Sequence, residues 1–281
     1  MVKATFGEKI VAWAESEPSV EALVQIGSRL RDESDAVWAA DAQSDWDFLV
    51  ISSRPELFAT SSWLKGAGAK PITYVVRTAQ LGGVPKVAVV FDDAEADFVI
   101  QPAPLVRKVG RALARGVHRQ HGPIRTALQD LAVVIRPGWK FWKGAKMWEP
   151  LYRRVVAEVA DRRVDEAEAR SLADGFVCDA LWTRRKIARG EFLAAQRMLH
   201  RSLADTNFRL LHELQLRRGM RSFPEARRIE RVARAAELSA VTVSAVPTAK
   251  SLRAAVAKSS ATLRRLMRSL APGWRWASSV S

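Results

Sequence analysis

The 281-residue chain holds one cysteine, Cys178, which excludes an intramolecular disulfide and fits a reducing, cytoplasmic setting. Its apolar helical surroundings mark Cys178 as a core residue rather than a nucleophile. The four histidines, His118, His121, His200 and His212, are scattered and form no ligand spacing for a metal. Runs of about 18 apolar residues are missing, so no membrane span is expected. No basic N-terminal segment leads into an uninterrupted apolar stretch, so export is not expected either. Internal repeats, a Walker P-loop, zinc-ligand spacings and a G-x-S-x-G turn are likewise absent.

What is present is globular in composition, 48% hydrophobic and 27% charged, and long enough for one large or two medium domains. Its net charge of +15 is unevenly spread. Residues 1–105 carry 9 Lys and Arg against 15 Asp and Glu, whereas residues 106–281 carry 36 against 15. An acidic half is followed by a strongly basic one.

The chain is organised around residues 20–52. An apolar, strand-like run, Leu23 to Ile26, ends at Gly27-Ser28-Arg29, and a long polar loop returns as Asp45-Trp46-Asp47 at the start of the apolar run Phe48 to Ile51. Alternate residues of a strand share a face, which predicts the Asp45 and Asp47 carboxylates on one side, roughly 6 to 7 Å apart. Like charges so placed call for a hard divalent cation with oxygen ligands. A later strand-like run supplies a third acid, Asp97, on the face shared with Val99 and Gln101. Gly27 permits close approach of a phosphate to the backbone, and the Ser28 hydroxyl with neighbouring amides can donate to triphosphate oxygens.

Residues 4–16 place Phe6, Ile10 and Trp13 on one helical face that stops before Pro18. Pro55 opens a short helix through about Lys65. The runs at 72–77 and 86–91, with those near 22, 46, 97 and 131, read as strands of a mixed sheet. A basic helix is expected over 105–119, and helices from about Met147 to Leu238. Strands early and helices late give an α+β protein: a mixed-sheet domain with flanking helices over 1–144, a helical bundle over 145–243, and a basic helical tail over 244–281.

Residues 136–148 cluster Trp139, Phe141, Trp142 and Trp148 among Lys140, Lys143 and Lys146. Such a cluster can stack a nucleobase, or bury its tryptophans at a domain seam. Glu149, Asp174, Asp179 and Glu191 are the acids available for a cationic or hydroxylated acceptor, with Trp182 one turn from Asp179. In the tail, Leu252, Val256, Leu263, Met267 and Leu270 form a stripe opposite Arg253, Lys258, Arg264, Arg265 and Arg268. That pattern suits packing on the bundle, with RNA or an anionic surface as the other use.

The Gly-Ser turn, the D-x-D after it and a third strand Asp together resemble the DNA polymerase beta-like nucleotidyltransferase superfamily over residues 20–101. G-S-R, S-D-W-D-F-L-V, A-D-F-V-I and an all-helical second half, with LAVVIRPGWKFWKG at 131–144 and FVCDALWTRRKIARGEFLAAQRMLH at 176–200, narrow it to the streptomycin 6-adenylyltransferase family. The resemblance implies ATP or another nucleoside triphosphate as co-substrate and Mg²⁺ held by Asp45, Asp47 and Asp97. It also implies triphosphate contacts from Gly27, Ser28 and Arg29, with Asp97 as general base and an aminoglycoside-like acceptor. The basic second half keeps two alternatives open: transfer to RNA or protein, and binding of nucleotide or nucleic acid without catalysis.

Overall fold

The computed structural model describes residues 5–32, 34–35, 37–79 and 81–276, in two compact units that divide between Arg162 and Arg163. The first unit is built on six strands: β1 (Val20–Ile26), β2 (Trp46–Ser52), β3 (Thr73–Thr78), β4 (Pro85–Val90), β5 (Glu95–Pro102) and β6 (Lys140–Lys143). Their order across the sheet is β3-β4-β5-β2-β1-β6. Only the β2–β5 pairing is parallel among them, so the sheet is mixed as expected.

Alternation along the strands decides what each face buries. Leu23, Phe48, Val50, Phe98 and Ile100 point to one side, where helix α1 (Phe6–Ser16) covers them with Ile10 and Trp13. Helix α1 starts at a capping box: the Thr5 hydroxyl accepts from the Glu8 amide at 3.3 Å, and the Glu8 carboxylate accepts from the Thr5 amide at 2.7 Å. The segment after Pro55 forms two short 3₁₀ turns, Pro55–Ala59 and Ser61–Lys65, which add Phe58, Trp63 and Leu64 to this side. Val24, Ile26, Leu49 and Ile51 point to the other side, under α2 (Ala103–Ala114), α3 (Gly122–Ile135) and α4 (Ala145–Glu158).

The strand expected near residue 131 is a helix. Leu128, Leu131, Ala132 and Ile135 are all buried at helical spacing, and the His121 side chain caps the helix by accepting from the Ile124 amide. Residues 131–135 are the last turn of a pattern that begins earlier, and the strand starts only at Lys140. Helix α4, expected with the bundle, belongs to the first unit. Trp148, Tyr152 and Val155 fill its core, and Arg136 grips the helix end through Val156 O, Val159 O and the Asp161 carboxylate. Consequently the compact division falls after residue 162, not 144.

The second unit is helical: α5 (Glu166–Ala188), α6 (Phe192–Met198), α7 (Asp205–Arg217), α8 (Ala235–Val241) and α9 (Ala249–Leu270), with one π-helical stretch, Leu199–Ala204, joining α6 to α7. The tail is therefore no appendage. Leu252, Val256, Leu263, Met267 and Leu270 of α9 pack against Phe176, Leu203, Leu210 and Leu211 in one core. Each such side chain contributes about 1.5–3 kcal/mol by burial. Cys178, expected in this core, is exposed, because the buried stripe of α5 runs through Ala173, Phe176 and Ala180 instead. No helix among the described residues is long and apolar enough to cross a membrane.

Candidate metal centre

Asp45, Asp47 and Asp97 meet at one edge of the sheet. Asp47 is the second residue of β2 and Asp97 the third of β5, and the parallel register sets them opposite each other. Asp45 lies one residue before β2, outside the strand, so it is not bound to strand geometry. One carboxylate oxygen from each residue lies within 4.8 Å of the other two. The backbone repeat sets alternate residues roughly 6 to 7 Å apart, and the side chains lean together from there to bring their oxygens closer.

Pairing identifies the face. Asp47 is opposite Ile26 on β1, whereas Phe48 is opposite Gln25. The three acids therefore belong to the face of Ile26 and Leu49, at its open end, and all three are half-buried. Three hard oxygen donors at this separation suit a divalent cation such as Mg²⁺. No other cluster of three His, Cys, Asp or Glu side chains among the described residues has such a geometry.

Gly27 stands against this centre. Its φ of 84° and ψ of −163° lie in a region that essentially only glycine occupies. A Cβ at this position would overlap the Asp47 carboxylate. The chain then turns through Ser28–Leu30, a turn closed by hydrogen bonds from the amides of Leu30 and Arg31 to Gly27 O and Ser28 O. The expected phosphate-facing residues Gly27 and Ser28 thus sit beside the acids.

Arg29 is engaged differently. Its Nε donates to Asp45 O at 3.0 Å, its Nη2 donates to Ser44 O at 2.5 Å, and its guanidinium lies 4.6 Å from the centre of the Trp46 ring. The residue expected at a triphosphate holds the backbone on which Asp45 is carried.

Sequence reasoning missed Lys86. Its ammonium lies 2.5 Å from Asp97 Oδ2, with the lysine side chain 36% and the aspartate 21% exposed. The signal was available in the hairpin: Val90 pairs with Glu95, so Ala88 falls opposite Asp97 and Lys86 opposite Val99. Lys86 is the diagonal neighbour of Asp97, a distance a long side chain spans.

The aromatic cluster divides. Trp148 is buried within the first unit, and Trp139 and Phe141 pack against Tyr152 there. Trp142 is exposed, donates from Nε1 to Gln25 Oε1 at 3.0 Å, and carries the Lys140 ammonium 3.5 Å over its ring. With Trp46, Val11, Glu8 and Glu15 it lines a cleft of about 430 Å³ beside α1. Gln25 shares the face of Phe48, so this cleft lies across the sheet from the three acids.

Three of the expected acceptor acids are already engaged. Glu149 pairs with Arg153, Glu191 with Lys186, and Asp174 accepts from Trp274 Nε1. Asp179 sits one turn from exposed Trp182 on α5.

No family model matches the chain, and no curated protein matches it by sequence. Among solved structures it is similar to an aminoglycoside 6-adenyltransferase from Bacillus subtilis, at 12% identity and a TM-score of 0.41, over 99% of this chain and 95% of that one. It is also similar to a nucleotidyltransferase-like protein from Exiguobacterium sibiricum, at 12% identity and a TM-score of 0.35, over 95% of this chain and 77% of that one. Likenesses of this order leave the chemistry to the chain's own residues.

Proposed function

We propose that the chain is a Mg²⁺-dependent nucleotidyltransferase that moves AMP from ATP to a hydroxyl of an aminoglycoside-like small molecule and releases pyrophosphate. The observation that carries this reading is the convergence of Asp45, Asp47 and Asp97, with oxygens within 4.8 Å, beside the Gly27–Ser28 turn. Carboxylates so close repel each other, and a divalent cation with oxygen ligands relieves that repulsion.

In this reading Asp45, Asp47 and Asp97 would hold the divalent cation, the first two toward the triphosphate and Asp97 toward the attacking hydroxyl. The divalent ions, when bound, neutralise charge on the entering and leaving oxygens of an in-line displacement. Gly27 brings the backbone close to the phosphates, and Ser28 donates to their oxygens. Arg29 holds the Asp45 backbone in place. Asp97 takes the proton of the acceptor hydroxyl as its oxygen bonds to the α-phosphorus and the bond to pyrophosphate breaks.

The excess of 36 Lys and Arg over 15 Asp and Glu after residue 105 favours a second reading, in which the acceptor is RNA. One assay separates the two. Purified protein is given Mg²⁺, ATP and streptomycin, and pyrophosphate release is followed; the other three nucleotides and a tRNA acceptor are then substituted in turn. Streptomycin-dependent release that vanishes in Asp47→Ala supports the first reading. Release with tRNA alone, suppressed by salt, moves the acceptor to RNA. Full activity in an Asp45→Ala, Asp47→Ala double variant refutes the site.

A further inference from the structure

Lys86 reaches the acid cluster from β4, a strand that contributes no acid to it. Its ammonium meets Asp97 Oδ2 at 2.5 Å, and Asp97 in turn offers an oxygen within 4.8 Å of those of Asp45 and Asp47. The cationic group is thus in contact with one member of the cluster that the proposed reading assigns to Mg²⁺. Because its side chain is 36% exposed, the ammonium can leave Asp97 for water without crossing a packed core. The partner strand fixes the geometry: β4 pairs with β5 in register from Lys86–Val99 to Val90–Glu95, so the lysine is held diagonal to the aspartate.

We propose that Lys86 is the counter-ion of the metal-free cluster, a positioning residue whose ammonium competes with a divalent cation for Asp97. This rests on the metal reading given above. Without metal, Lys86 offsets part of the repulsion among three carboxylates and fixes the Asp97 side chain. With metal, the ammonium yields its place at the carboxylate and is free to turn toward other anionic oxygens. Lysine suits the exchange, since it is a compact, strongly hydrated charge on a flexible stem, whereas arginine would hold a carboxylate with two parallel bonds.

The test is calorimetric titration of the full chain with Mn²⁺ and Mg²⁺, for wild type, Lys86→Gln, Lys86→Arg and Asp47→Asn, with thermal unfolding in chelator and in metal. Lys86→Gln is expected to bind Mn²⁺ roughly five-fold or more tightly, the worth in water of the ion pair of two unit charges that metal must otherwise break. It should also melt lower than wild type in chelator and gain more from added metal. Lys86→Arg retains the charge and should bind no more tightly than wild type.

In protein labelled with ¹⁵N at lysine Nζ, the resonance lost in Lys86→Arg should shift as metal is added to wild type. This readout needs no destabilised variant. Equal or weaker metal affinity in Lys86→Gln, or a Lys86 resonance indifferent to metal, overturns the competition. If wild type binds metal, Asp47→Asn does not, and Lys86→Gln matches wild type, only the lysine's role is lost. A wild type that binds neither metal overturns both the lysine's role and the metal reading.

Discussion

Asp47 stands directly opposite Asp97 in the parallel pairing of β2 and β5, with both carboxylates on the face of Ile26 and Leu49. Like charges opposite each other in a sheet destabilise it, and Asp45 adds a third. In the absence of metal, Asp47→Asn should therefore raise the stability of the first unit, by about 0.5–1 kcal/mol. The same substitution should abolish the metal-induced rise in melting temperature. Unfolding in chelator and in millimolar Mg²⁺ checks both signs, and a variant less stable than wild type in chelator would contradict the repulsion.

Gly27→Ala isolates the contribution of the turn. The backbone at φ 84° and ψ −163° costs a side-chain-bearing residue of order 1–3 kcal/mol. The added methyl also displaces the Asp47 carboxylate. Metal affinity should fall by about 10–100-fold, as when a ligand's supporting shell is lost. Retention of wild-type metal affinity and stability in Gly27→Ala would show that the turn tolerates a Cβ.

Much of this site was legible before the structure, and physics explains which parts were not. The positions of Asp47 and Asp97 follow from period-two burial, because Phe48, Val50, Phe98 and Ile100 are fixed to the α1 face and leave the intervening residues to the other. Asp45 escaped the strand rule because β2 begins after it. The helix ending at Ile135 was misread because Leu131 to Ile135 is a short apolar run whose helical period shows only with Leu128 included. Cys178 was misplaced on α5 because it lies two residues from both Phe176 and Ala180, on the side of the helix away from the buried stripe. Lys86 was missed because its relation to Asp97 shows only once β4 and β5 are paired back from the hairpin turn, a step beyond reading residues along the chain. The contact of Arg29 depends on the chain returning 16 residues later to Asp45 O, a closure that no local pattern announces.

Arg29 can be distinguished from a phosphate ligand by kinetics. Its two bonds to the backbone at Ser44 and Asp45 make it a support for the Asp45 side chain. Arg29→Lys loses the fork that reaches both carbonyls. Metal affinity and kcat should each fall by about 10–100-fold, with KM for the nucleotide little changed at saturating metal. A rise in nucleotide KM with unchanged metal affinity would return Arg29 to the triphosphate.

The second unit has its own buried charge, and its pH dependence can be worked out. Glu213 is buried on α7. Burial alone would raise its pKa, but hydrogen bonds from Arg163, the Val164 amide and Arg217 outweigh burial and hold it below the ordinary 4.5. For a carboxylate with a depressed folded-state pKa, the stabilisation is fully present above the unfolded value and disappears as pH falls through the folded one. Wild type should thus lose stability below about pH 4.5. Glu213→Gln should be less stable at neutral pH by about 2–3 kcal/mol, less than a fully buried pair because both arginines are partly exposed. Its stability should then change less between pH 5 and 3 than that of wild type, since the group whose proton uptake drives part of the loss is gone. Denaturant unfolding of the second unit at those pH values measures this difference, and parallel acid limbs in the two proteins would remove Glu213 from the account.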